Sequence, residues 1–163
     1  MAITAVAVFM RSIVGNVEKP SINQSPSHSV ALSNVAPSLR HACLCAKAAD
    51  EYRGKNIVVL DLRKITPVFD YFVIVTAGSP RQMKSIAEEA DRLLKEAGSK
   101  CMGAEGREST VWTLHDYGDV VFHIFSGEGR ENYDLERLWG DAPTVDWQRL
   151  ISSPHTSTDS QKT

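Results

Sequence analysis

The chain has 163 residues, apolar and charged fractions of 42% and 23%, and a net charge of −2. That size suits one domain with a packed core and room for tails. The near-neutral charge gives no basic footprint for neutralising phosphates, so direct nucleic-acid specificity is not the default, and no run is apolar enough for long enough to cross a bilayer.

Residues 1–36 hold Pro20 and Pro26 among many Ser and Asn and keep no period of 2 or 3.6, so a disordered extension is expected there. The opening MAITAVAVFMRSIVG has no positive charge before its apolar part, and Arg11 interrupts it, which argues against a secretory signal. Glu18 is the sole acid among the first 35 residues. That composition approaches an organelle transit peptide, but arginine is scarce.

From Ser38, Leu39, Ala42, Cys43, Ala46, Ala49 and Tyr52 recur at helical steps, with Gly54 as a stop. NIVVLDL (56–62) reads as a strand buried on both faces, 63–70 as a loop broken by Pro67, and YFVIVT (71–76) as a second buried strand. The next helix is the best signalled. Ser79 caps, Pro80 takes the first position, and Gln82 completes a Ser-x-x-Gln box. Met83, Ile86, Ala87, Ala90, Leu93, Leu94 and Ala97 form its apolar face, and Gly98 ends it.

A short strand is expected at 100–103, then a turn from Gly103 to Gly106. Residues 111–116 and 120–125 follow as a hairpin around Tyr117-Gly118-Asp119, where Gly permits positive φ. Ser126-Gly127 breaks the pattern. One helix then runs to Trp139, with Tyr133, Leu135, Leu138 and Trp139 inward. Val145, Trp147, Leu150 and Ile151 can pack back before a polar tail at 152–163. The domain is therefore 37–151, in the order α-β-β-α-β-β-β-α. The class is α/β (α+β), a mixed sheet with flanking helices.

Three cysteines make no disulfide framework and fit reduced thiols. Cys43-x-Cys45 lacks a second ligand pair, so no metal is assigned, and one of the two is expected in the core with the other incidental. No cofactor motif is present. The helix behind Gly78-Ser79 offers N–H groups to a phosphate, as in nucleotidyltransferases. Those enzymes also need two acids one residue apart on the next strand. Glu88, Glu89 and Asp91 lie instead in the helix, facing outward, and Asp61 stands alone. A tight turn and a good cap are the better reading.

His115 and His123 are the histidines of the predicted sheet and are expected near each other across the hairpin. Structural histidines outweigh a general base here. Trp112, Leu114 and Asp116 share one strand face. Trp112 there is either core or an interface anchor. Arg130, Glu131, Asp134, Glu136 and Arg137 line the last helix as a solvated face or a charged rim.

DYFVIVTAGSPRQMKSIAEEADRLLKEAG, the Glu105-Gly106 pair, VWTLHDYGDVVFHIF and RENYDLERLWGDAP together resemble the ribosomal silencing factor, or Iojap, family over residues 38–147. The resemblance implies a nucleotidyltransferase-like domain without catalytic acids, and a function without turnover. It implies binding to the large ribosomal subunit, on the protein numbered fourteen of its intersubunit face, so that the small subunit cannot join and translation is damped under nutrient limitation. Subunit assembly is the alternative role, and a divergent nucleotidyltransferase a weaker one. Homodimers occur in the family. On the matched positions, Trp112 is the expected anchor, Glu105, Asp116, Asp119 and His123 polar partners, and Arg130 and Glu136 rim charges. The expected placement is cytoplasmic, or an organelle if the extension is a transit peptide.

Overall fold

A computed structural model describes residues 35–152. The extension expected at 1–36 and the tail at 152–163 therefore lie, but for their innermost residues, outside the described part. Ten elements follow in order: α1 (Pro37–Glu51), β1 (Lys55–Asp61), β2 (Tyr71–Thr76), α2 (Pro80–Glu96), β3 (Gly103–Glu105), β4 (Trp112–Asp116), β5 (Val120–Phe125), α3 (Gly127–Tyr133), α4 (Leu135–Leu138) and α5 (Trp147–Ser152).

The five strands form one sheet in the order β1-β2-β5-β4-β3. β2 and β5 are parallel and the other pairs antiparallel, so the sheet is mixed as expected. A parallel pair needs a crossover, and the chain through α2 and the β3–β4 hairpin supplies it.

The period of two then sorts the side chains. Tyr71, Val73, Val75, Val120, Phe122 and Ile124 face a core shared with α1 and α2, while Phe72, Ile74, Trp112, Leu114, Val121 and Phe125 face a second core with Leu135 and Trp139. α1 lies close on the sheet because its inward residues are small. Ala42, Cys43, Cys45, Ala46, Ala48 and Ala49 are all fully buried. Both neighbouring cysteines are thus core residues, where the sequence suggested one.

α2 begins as its box predicts, with an added tether. Ser79 Oγ accepts from the Gln82 N–H at 3.2 Å. Gln82 Oε1 accepts from the Gly78 N–H at 2.6 Å, and Gln82 Nε2 donates to the carbonyls of Tyr52 and Arg53 at 2.7 and 3.0 Å. The cap therefore also fastens the end of α1.

β1 departs from the expectation. It is an edge strand and only partly buried, not buried on both faces. Its free edge is covered by residues 143–145: Asp61 N–H donates to the Pro143 carbonyl and Val145 N–H to that of Val59, each at 2.9 Å. Such cover hides groups that would otherwise template aggregation. Val145, Trp147, Leu150 and Ile151 pack on the first core, as their spacing suggested. β3 starts three residues later than expected. The single last helix is two short ones, because Asp134 adopts the left-handed conformation (φ 40°) between them.

Gly106 has φ +69°, and a Cβ there would stand 2.3 Å from the Trp112 carbonyl oxygen. Gly106→Ala is expected to destabilise by at least about 1–3 kcal/mol from conformational strain alone, read as a lowered urea midpoint.

Candidate functional site

The hairpin sets the geometry. Gly118 takes φ +89°, and its N–H donates to Asp116 Oδ1 at 2.8 Å. Tyr117 N–H donates to the Val120 carbonyl at 2.9 Å, so Gly118-Asp119 is a two-residue turn. The register then pairs Leu114 with His123 and His115 with Phe122. The two histidines expected side by side therefore face opposite cores.

Trp112 is 2% exposed and His123 fully buried, so neither side chain stands at the surface of the free chain. Of the two readings of Trp112, core or interface anchor, this burial fits the core, and His123, expected as a polar partner, lies inside the fold. Trp112 stacks on Phe125 with centroids 4.9 Å apart, and its Nε1–H donates to His123 Nδ1 at 3.2 Å. Accepting at Nδ1 makes His123 a neutral imidazole with its proton on Nε2. Burial holds its pKa down at about 3. Phe72 meets His123 and Trp139 edge to face, at 4.8 and 5.2 Å. Above this stack lies Tyr133, 39% exposed, 4.7 Å from Trp112. Tyr133 is the aromatic that reaches water here. Sequence periodicity placed it on an inward stripe and missed that role.

Arg130 and Glu136 are a clamp more than a rim. Arg130 Nε donates to Glu136 Oε1 at 2.8 Å, a second guanidinium nitrogen bonds the same oxygen, and Nη1 donates to Thr76 Oγ1 at 3.2 Å. The pair bridges α3 and α4 across Asp134 and fixes both to the end of β2. Only Glu136 keeps appreciable exposure, 33% of its side chain against 12% for Arg130.

Glu105 pairs with Leu114, and Asp116 with Val121, so both acids share the second face of the sheet. Asp119 is exposed at the hairpin tip. Met102, 70% exposed, precedes the edge strand. The seven expected residues thus divide into an acidic surface set (Glu105, Asp116, Asp119), a buried pair (Trp112, His123) and a structural ion pair (Arg130, Glu136).

On the other face, α2 and the residues before β4 bound a groove of about 550 Å³, whose lining includes Lys84, Asp91, Arg107, Ser109, Thr113 and His115. Asp91 does not face outward as the helix pattern suggested. Its Oδ1 accepts from Tyr117 Oη at 2.7 Å and lies 3.2 Å from His115 Nδ1. Cys101 Sγ stands 3.9 Å from the same ring nitrogen. Burial lowers the His115 pKa against the pull of Asp91, and burial followed by Asp91 raises that of Cys101. Asp61, the other isolated acid, is bonded by the Arg63 guanidinium at 2.9 and 2.6 Å.

The fold and this surface define a mixed-sheet α+β domain with an aromatic stack roofed by two short helices at one end of the hairpin and acidic residues toward its turn. The chain belongs to the ribosomal silencing factor family: the profile described as "Ribosomal silencing factor during starvation" matches residues 35–163. It is 38% identical over 109 residues to the ribosomal silencing factor of Halalkalibacterium halodurans, covering 67% of this chain and 93% of that one. A mouse protein named for mitochondrial assembly of the ribosomal large subunit is 30% identical over 91 residues, covering 53% of this chain and 39% of that one. A crystal structure from Chromobacterium violaceum superimposes with a TM-score of 0.61 at 40% identity, over 63% of this chain and 86% of that one.

Proposed function

We propose that this protein binds the large ribosomal subunit and keeps the small subunit from joining it, damping translation. The membership of the family carries this reading, since its description is of ribosome silencing during starvation. The mouse relative's name, which specifies the large subunit, supports the choice of subunit. The mechanism is steric and asks for no turnover. The surface offered to a basic ribosomal protein, the one numbered fourteen on the intersubunit face, carries the acids Glu105, Asp116 and Asp119 toward the turn end of the hairpin and exposed Tyr133 at its other end, over Trp112 and Phe125. Complementary charge would speed encounter and fix register. It also suits a chain whose net charge is −2. Trp112 acts from below, holding Tyr133 in place.

The protein works as a monomer or homodimer in the cytoplasm. The mouse relative is named as mitochondrial, which supports import into an organelle as the second placement. That same name favours a role in subunit assembly as the second function.

The test is co-sedimentation of the full chain with purified large subunits, together with a subunit-joining assay. The expected result is stoichiometric binding and fewer joined ribosomes. Glu105→Lys combined with Asp119→Lys should weaken binding on the order of tenfold, about 1.4 kcal/mol, while leaving stability within about 0.5 kcal/mol. Joining that proceeds normally at saturating protein sinks the silencing reading. Binding confined to precursor particles would move the role to assembly.

A further inference from the structure

The geometry points to a transition-metal site, of the zinc class, formed by Asp91, Cys101 and His115 at the inner wall of the groove on the first face. It is separate from the acidic surface set and does not depend on the ribosomal reading.

The three ligands come from three elements. Asp91 is on α2, Cys101 just before β3, and His115 on β4. One ligand atom from each lies within 4.8 Å of the other two. The measured gaps are 3.2 Å from Asp91 Oδ1 to His115 Nδ1 and 3.9 Å from that nitrogen to Cys101 Sγ. Bonds of about 2.0–2.3 Å in a tetrahedral shell set an oxygen and a nitrogen ligand about 3.3 Å apart, and either of them about 3.6 Å from a sulfur. The third gap, from Asp91 to Cys101, is at most 4.8 Å, so closing the shell asks for a movement of up to about 1 Å, within the reach of side-chain rotation.

The donor set selects the ion. A thiolate, an imidazole nitrogen and a carboxylate oxygen suit a borderline-soft divalent ion. They do not suit magnesium or calcium, which ask for oxygen alone. Charge balance favours it as well. A dication offsets one thiolate and one carboxylate, leaving a neutral centre in a partly desolvated place. Binding takes the proton from the Cys101 thiol, which otherwise donates to the Gly103 carbonyl at 3.1 Å, and that proton leaves to solvent.

The surroundings resemble a built site. Tyr117 Oη donates to Asp91 and orients the carboxylate, as outer-shell partners do. Three protein ligands leave a fourth position. Asp91 and His115 both line the groove, so that position faces it and is available to water.

The probe is Co²⁺ titrated into the reduced full-length chain, with Zn²⁺ as competitor. The expected result is one equivalent bound, with the intense thiolate-to-cobalt charge-transfer band and the strong visible absorption of a tetrahedral ion, both abolished by Zn²⁺. Cys101→Ser should lose the charge-transfer band although Cys43 and Cys45 remain. Tyr117→Phe should weaken Co²⁺ affinity by about 10–100-fold. Asp91→Asn supplies a second ligand variant should Cys101→Ser fail to fold, and should weaken affinity by at least the same factor. A folded wild-type chain without the band overturns the site, as does a band that survives in folded Cys101→Ser. Unchanged affinity in Asp91→Asn does so too.

Discussion

Replacing Trp112 with alanine is expected to destabilise the protein by about 3–5 kcal/mol, seen as a fall in the urea midpoint at constant slope. The ring is 2% exposed and lies between Phe125, His123 and Tyr133. Truncation leaves a cavity in a stack too constrained by the sheet to collapse. It also strips His123 Nδ1 of its donor, Trp112 Nε1, in a fully buried place. Trp112→Phe separates the two effects. It keeps most of the stacking and loses the hydrogen bond, for a cost of about 1–3 kcal/mol. A cost under about 1 kcal/mol for alanine would mean that the ring is not packed as described.

This magnitude bears on function. Lost ribosome binding in Trp112→Ala would report a damaged support under Tyr133 as readily as a lost contact. The acidic surface set is therefore the better place to test the interface. Glu105 and Asp119 can be reversed in charge without entering either core.

Much of this arrangement is legible in local sequence, because local rules govern it. The Ser79–Gln82 box and the inward face from Met83 to Leu94 follow from helical spacing, and both strands of the hairpin from alternation around Gly118-Asp119. What escapes is set at long range or by one residue. NIVVLDL carries the same apolar signal whether central or at an edge. It lies at the edge, covered by residues 143–145, some eighty positions on, and no local pattern shows that. Asp134 divides the last helix by one left-handed residue, and Asp tolerates that conformation without a composition signal.

The histidines show how sharply register acts. A two-residue turn pairs Tyr117 with Val120, which sets His115 opposite Phe122, one place from His123. In a strand, one place is the other face. The same register turns His115 toward α2, where Asp91 meets it across 24 positions of sequence. A helical wheel of α2 alone leaves Asp91 looking like a solvated acid. Only the path of β4 beneath it shows what it bonds.

The second large effect is on pH dependence, and it too runs through the Trp112–His123 pair. Folding buries His123 completely and lowers its pKa from 6.5 to about 3. Below pH 6.5 the unfolded chain takes up a proton at this ring and the folded chain does not. Stability contributed by the neutral ring is therefore complete above the unfolded value and lost as the pH falls toward the folded one. The loss is about 1.4 kcal/mol per pH unit within that window, or on the order of 5 kcal/mol across it. His41 and His115 are also lowered by burial and act in the same direction, so the wild-type slope alone does not single out His123. The comparison is with His123→Gln, which retains an acceptor for Trp112 Nε1 and does not titrate. Urea midpoints measured from about pH 7 to about pH 4 should fall more steeply in the wild type, with the difference approaching about 1.4 kcal/mol per unit. Parallel slopes would show that His123 reaches water in the folded chain. The core beneath Tyr133 would then be open, and the proposed interface above it would lose its rigid support.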